Sequence, residues 1–393
     1  MICGNYIILW VKENNTSMKT ISNIASILFV AFAVLGFISC TGNGNQSSMT
    51  GEAKIRKIDL STTNDEYALY ENIYETKEVI PLESKPECMI KSIRRILPFQ
   101  GNYYVFVLDG KNQECVLVFD SEGHYLHKIG TYGHGHGEYA TIKDFCIDEE
   151  GERVIILSAN STVYVYQLDG KFLFTKVLDK SLLWSIAANS EGFLLSSNHQ
   201  TYTTGENAFL FYQFDKDFNL KKKTGAVLPE QMYAPWLITV KLCTLQDKYV
   251  YHDAFTFKTS LLSSSTDPET CYDFQFANPM PQKSFTDGNT FMAEQMNYDY
   301  LLDNVMLNDR IITFYVQNGK CRVSIADKSG NNLLNKLYGG MIPNAYYSDG
   351  EYVLTAFSAH NILQMKEWGF IKQNDTTIEP EDNLVILRLK PII

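Results

Sequence analysis

The chain has 393 residues, 13% aromatic and 20% charged, with a formal net charge of −11. That length supports a large core and would allow two or three domains. The acidic balance, unrelieved by any basic run, excludes nucleic acid as a natural partner.

Residues 1–17 read as an upstream start outside the working protein. Met18 and Lys19, followed by the apolar run 24–38, read as a secretory signal, with a short positive start and an apolar core. It ends in Phe37, Ile38, Ser39 and Cys40. A small residue before a cysteine, at the end of an apolar core, looks like a lipobox. The expectation for 18–40 is therefore cleavage before Cys40 and diacylglyceryl transfer to its thiol; a plain transmembrane anchor is the alternative. Several acyl chains, at roughly 0.8 kcal/mol per buried methylene, make a stable anchor. Residues 41–53 are Gly, Asn and Ser-rich and read as a flexible tether.

From residue 54 onward a repeat dominates. Apolar strands are expected at 103–108, 153–158, 193–197, 249–252, 310–316 and 352–357. Hairpin partners follow at 115–120, 162–169, 208–215, 259–264, 321–327 and 384–389. A further apolar run precedes each unit: 90–96, 142–147, 182–187, 237–242, 301–307 and a weaker 345–347. Short Asp-x-x-Gly-type turns recur, as at Asp120–Gly123 and Asp327–Gly330, where the aspartate can accept backbone N–H groups and glycine takes a positive φ. Six units of 40–60 residues predict an all-β fold, a six-bladed β-propeller of four-stranded antiparallel blades spanning 54–393. Closing the ring avoids open sheet edges. The last unit holds only three strands, so 78–82 is expected to complete it as the outermost strand. Residues 54–60 are expected to add to that same blade or lie beside it.

The most distinctive stretch is 119–148. Phe119, Asp120, Gly123, Ile129, Gly130, Gly133, Gly135, Gly137, Glu138, Tyr139, Asp144, Phe145, Ile147 and Asp148 form a hairpin, a glycine-rich loop and a new strand. This run resembles the six-bladed β-propeller lipoproteins of Bacteroidetes-type bacteria, relatives of the NHL propellers. His134 and His136 depart from it, standing where that family has glutamine and proline. The resemblance covers about 55–390 and implies fold far more than activity. In that bacterial group an acidic run just after the lipidated cysteine often marks surface export. None follows Cys40, which implies an outer-membrane lipoprotein facing the periplasm.

In a four-stranded meander the inter-blade loops and the second-to-third-strand loops share one face. Long loops concentrate there: 130–139, 198–207, 225–236, 253–258, 277–297 and 358–382. A binding site is expected among them, with His134, His136, Glu138, Tyr139, His199, Tyr202, Trp236, His252, Phe255, His360 and Trp368 as candidates. The histidines could share a mouth or stand separately. The glycine loop could be a backbone nest for an anion or sugar hydroxyl, or simply the turn between two blades. Its recurrence across the resembled family implies the latter. The aromatics could stack on a ligand, or prop up the loops from below. Asp144, Asp303 and Asn304 lie in or beside innermost strands. They could hold a divalent metal, as carboxylates and amides do in some six-bladed lactonases, or merely line a wet channel. Nucleophile elbows, phosphate loops and zinc CxxC pairs are absent. Cys88, Cys115, Cys146, Cys243, Cys271 and Cys321 fall mostly in different repeats and read as free buried thiols.

Together these features predict a monomeric, lipid-anchored envelope protein without a cofactor. It would bind a glycan, peptide or partner protein with its loop-rich face. A lactonase-like hydrolase or lyase using channel carboxylates and a divalent metal is the alternative.

Overall fold

The computed structural model describes residues 54–393 except 63, 179–181, 201–208, 228–232, 234–239, 264–267 and 372–376. The residues 1–53 discussed above, with Cys40, lie outside the described residues. Three strands come first: β1 (Lys54–Asp59), β2 (Tyr67–Leu69) and β3 (Tyr74–Pro81). Blade 1 is β4 (Ile90–Phe99), β5 (Asn102–Asp109), β6 (Glu114–Phe119) and β7 (Tyr125–Ile129). The minor pair β8 (Thr131–Tyr132) and β9 (Glu138–Tyr139) follows. Blade 2 is β10 (Asp144–Asp148), β11 (Arg153–Ser158), β12 (Thr162–Gln167) and β13 (Phe172–Val177). Blade 3 is β14 (Ser185–Asn189), β15 (Gly192–Ser196), β16 (Phe209–Phe214) and β17 (Leu220–Ala226). Blade 4 is β18 (Val240–Leu245), β19 (Lys248–Asp253), β20 (Lys258–Leu262) and β21 (Pro268–Gln275). A short helix, α1 (Gly288–Glu294), leads to blade 5: β22 (Tyr300–Met306), β23 (Arg310–Gln317), β24 (Lys320–Asp327) and β25 (Asn332–Gly339). Blade 6 holds β26 (Tyr347–Ser348), β27 (Val353–Phe357), then helix α2 (Ala359–Glu367), then β28 (Val385–Pro391).

The six sheets form a ring, a six-bladed β-propeller. Each central strand buries both faces, so it reads as a continuous apolar run rather than a clean alternation. On β5, Tyr104 and Phe106 pack toward blade 2, while Tyr103, Val105 and Val107 pack toward blade 6. On β11, Val154 and Ile156 face blade 1, while Ile155 and Leu157 face blade 3. Closure is seen in the core joining blades 6 and 1, where Leu354 and Ile386 meet Ile93, Val105 and Leu117.

The outer rim depends on the three early strands. As expected from the sequence, β3 completes blade 6, antiparallel to β28, with Ile80 opposite Ile386. The expectation for 54–60 is corrected. β1 pairs parallel with β21 at the edge of blade 4, and β2 pairs parallel with β25 at the edge of blade 5. The chain therefore walks along the outer edges of three successive blades and covers them. The physical reason is local. Gly330, at φ +93, lets its turn approach the Lys57 carbonyl so closely that a Cβ would sit 2.5 Å away. Gln317 Nε2 donates to the Leu60 carbonyl at 2.9 Å. Both contacts hold β1 in the groove between blades 4 and 5.

Candidate ligand-binding site

All six inner strands run the same way, from the long inter-blade connections to the short first-to-second-strand turns. The two ends of the axis are called here the loop face and the turn face. Arg95 on β4 crosses the axis. Its Nη1 donates to both oxygens of Asp144 on β10, at 2.7 and 2.6 Å, and to the Ile186 carbonyl at 3.2 Å. Its Nη2 donates to the Leu242 carbonyl at 3.1 Å. Asp144 also accepts the Ile186 N–H at 2.9 Å. One side chain thus ties blades 1, 2, 3 and 4. Burial pushes the Asp144 carboxyl above its usual range, while the Arg95 guanidinium and the Ile186 amide pull it back. A second cluster ties blades 4, 5 and 6. Lys241 donates to Asp303 and, at 2.7 Å, to the Ala345 carbonyl. Asp303 in turn accepts the Ala345 N–H at 3.1 Å and the Asn304 N–H at 2.7 Å. Asn304 Nδ2 donates to Thr313 at 2.9 Å.

These contacts answer the question of free channel carboxylates. Asp144 and Asp303 each carry a cationic partner, and Asn304 is held by a neighbouring strand. Among the described residues no group of three or more His, Cys, Asp or Glu side chains converges to hold a metal.

On the turn-face side of Arg95 lies a cavity of about 460 Å³. Its walls come from the last residues of β4, β10, β14, β18 and β26 and the turns that follow them. Leu97, Pro98, Ala187 and Leu245 supply apolar wall; Glu149, Glu150, Asp247 and Asp349 line it too, all four largely exposed. This lies at the opposite end of the axis from the long loops on which the sequence reading concentrates.

The individual candidates divide. His134 and His136 are exposed, and the His136 ring stands edge-on to Phe172 at 4.8 Å. In the glycine loop, Glu138 accepts the Gly135 N–H at 2.8 Å, and a Cβ on Gly133 would sit 2.0 Å from the same carboxylate. The loop therefore wraps its own anion. Tyr139 is buried and donates to the Ile129 carbonyl at 2.9 Å, while Tyr166 of blade 2 donates to the Gly137 carbonyl at 2.8 Å. These contacts make the loop a brace between two blades.

His199 and His252 are corrected from surface to interior, and Phe255 is buried too, as one of the props the sequence offered as an alternative. His252 lies on β19, and the segments just after β15 and β19 carry His199 and Phe255 inward, because the apolar groove between blades accepts their rings. His199 Nε2 lies 2.8 Å from Asp253, and its ring packs against Tyr233 and Phe255. Tyr233, Phe255 and Phe285 stack on one another as props beneath the loop face. His360 is exposed in the first turn of α2, and Trp368 is 43% exposed against Phe370. Tyr202 and Trp236 lie outside the described residues. The six cysteines are free; Cys88, Cys115 and Cys146 are buried and the others half-buried.

His252 gives a pH signature. Its Nδ1 lies 3.0 Å from Thr259 Oγ1, and burial pushes its pKa from 6.5 down to about 4. Between those values the unfolded chain binds a proton that the folded chain refuses. Stability from this group is complete above pH 6.5 and is lost as pH falls toward 4, by up to about 3 kcal/mol. Urea unfolding at pH 7, 5.5 and 4 should show that fall, and His252→Gln should flatten it.

Residues 55–390 match a family described as a domain of unknown function, DUF4934. Two solved structures are similar in fold. One is an inferred exported protein of Bacteroides fragilis, with 17% identity and a TM-score of 0.65, covering 86% of this chain and 100% of that one. The other is a member of the DUF4221 family from Bacteroides vulgatus, with 10% identity and a TM-score of 0.54, covering 82% and 99%. No curated protein matches.

Proposed function

Since the chain belongs to the DUF4934 family, defined by a domain and not by an activity, we propose that it is a binding protein of the bacterial envelope. Its ligand sits in the axial cavity on the turn face. The observation that carries this reading is that cavity, about 460 Å³, set in a rigid ring and backed by Arg95. Its size falls within the range of small-ligand sites, and apolar walls with a few polar groups suit such a ligand. It could equally receive the tip of a glycan or peptide. Envelope placement is supported by the signal-like run 18–38 with Cys40, and by the exported Bacteroides protein of the same fold. Lipidation at Cys40 and a periplasm-facing outer-membrane position belong to the same proposal. The hydrolase reading needs channel carboxylates free to hold a metal, and here both carry a cation of their own.

The test is a pair of substitutions read on glycan and peptide arrays with the full chain. Ala188→Trp on β14 fills the cavity; Trp368→Ala changes the loop face instead. Loss of at least tenfold in retained signal with the first, and little with the second, is expected. The reverse pattern moves the site to the loop face.

A further inference from the structure

The cavity's mouth has a charge pattern that its walls do not neutralise. Glu149 and Glu150 come from the turn after β10, Asp247 from the turn after β18, and Asp349 from the turn after β26. Two cations also line the cavity, and each is committed to a buried carboxylate. Arg95 is bound to Asp144, and Lys216 lies 2.6 Å from Asp148, with Glu150 further off at 3.7 Å. Four carboxylates from three blades therefore share one opening, where the nearest cation to Glu150, Lys216, is already held by the buried Asp148. Like charges gathered in this way repel, and the repulsion is relieved when a cation enters.

A second observation points inward. Tyr347 on β26 is half-buried in the cavity wall, and its hydroxyl makes no hydrogen bond among the described residues. Burial pushes that phenol up to about 12, and the Asp349 and Glu149 carboxylates add to the effect. Asp349 of blade 6, Glu149 of blade 2 and the neutral Tyr347 oxygen with its free lone pair thus line one cavity. Glu149 likewise has no side-chain partner among the described residues. The Cys146 thiol, 3% exposed, also faces the cavity unpartnered. Below the mouth, Leu97, Pro98, Ala187 and Leu245 present an apolar sleeve.

Resting on the cavity reading above, we propose that the site takes an aliphatic primary amine. Its ammonium is held between Glu149, Asp349 and the Tyr347 hydroxyl, and its methylene stem lies along the apolar wall. An ammonium supplies three donors and no acceptor, which matches a site built from acceptors. An anion would have only Arg95 and Lys216 to meet, and Asp144 and Asp148 already hold those two side chains. A free diamine and the end of a lysine side chain share this chemistry.

Calorimetry on the full chain with cadaverine, spermidine and Nα-acetyl-lysine methylamide tests the proposal. Binding of at least one amine is expected, and the tighter arm tells a free amine from a peptide-borne one. Glu149→Gln and Asp349→Asn should each weaken it about tenfold, or 1.4 kcal/mol. Asp349→Asn keeps the oxygen that accepts the Glu351 and Tyr352 N–H groups, so its turn survives. Glu367→Gln on α2, far from the mouth, should change nothing. A charge-selective thiol probe reads the same field: the cationic aminoethyl methanethiosulfonate should label Cys243, a cavity-wall residue, faster than its anionic sulfonatoethyl counterpart. If 1,6-hexanediol or glutarate binds as well as the amines, and Ala188→Trp abolishes that binding, the amine class is overturned while the cavity stands. If amine affinity is unchanged by Ala188→Trp, cavity and amine both fall. No heat with any amine overturns the proposal outright.

Discussion

Deletion of residues up to 82 is expected to abolish cooperative unfolding and leave an aggregating chain. β3 is the outer strand of blade 6, and removing it exposes the β28 edge along its whole length. Bare edges of this kind template association between chains. The same deletion removes Ile80 and Leu82 from the core that joins blades 6 and 1, and takes β1 and β2 from the rims of blades 4 and 5. A graded version isolates the strand's packing. Ile80 is 5% exposed, so Ile80→Asp loses roughly 1.5–3 kcal/mol of burial and adds the cost of an unpaired buried carboxylate. A loss of about 4 kcal/mol in urea unfolding is expected. The ion pair on the same strand serves as the comparison. Glu78 and Arg388 lie 2.8 Å apart, but their side chains are 43% and 35% exposed. Exposed pairs contribute about 0–1 kcal/mol, so Glu78→Gln should be nearly silent. If both substitutions cost the same, closure rests on the surface pair and not on the core.

The contrast between these two residues also explains what could be read from sequence. Ile80 lies in a run whose apolar spacing marks a strand, and the last repeat lacks a fourth strand, so pairing of the two was legible. β1 was legible as a strand but not as a partner. Of its apolar residues Ile58 is buried while Ile55 is 65% exposed, so its sequence fits almost any open edge. Its true position depends on the turn at Gly330 and on Gln317, more than 250 residues away. Pattern carries no information about such contacts.

The candidate site divides along the same line. Long loops signal a working face, yet the described cavity is made mostly by the short turns between first and second strands. Glu149, Asp247 and Asp349 each look like ordinary turn acids, and only the ring brings them to one opening. Arg95 reads as one charge in a strand that also carries Arg94, and its partner Asp144 belongs to another repeat. His199 sits in polar surroundings in sequence, which suggests a surface, while His252 ends the apolar run 249–251; the groove between blades buries both.

Arg95→Met should reveal how much of the ring's stability passes through the axis. The Arg95 and Asp144 side chains are 13% and 12% exposed, so removing one partner leaves a buried carboxylate without its cation, at a cost of about 3–5 kcal/mol. The pH dependence separates this from simple loss of packing. Without the guanidinium, burial acts on Asp144 against the backbone amides of Ile186 and Phe145 only, and its folded pKa rises further above that of the unfolded chain. Between those values the folded form binds the extra proton. The stability so gained is complete below the unfolded pKa and is lost as pH rises through the folded one. The deficit of Arg95→Met should therefore be largest at pH 7 and shrink toward pH 4. Arg95→Met with Asp144→Leu removes both charges and should recover most of the loss, with a flat profile. Lys241, at 27% exposure, keeps more water around it, so Lys241→Met should show the same shape at smaller amplitude. If Arg95→Met is equally destabilising at both pH values and the double variant is no better, the axis is held by shape alone. Arg95 would then be filling space, and the buried charge pair would contribute nothing to the ring.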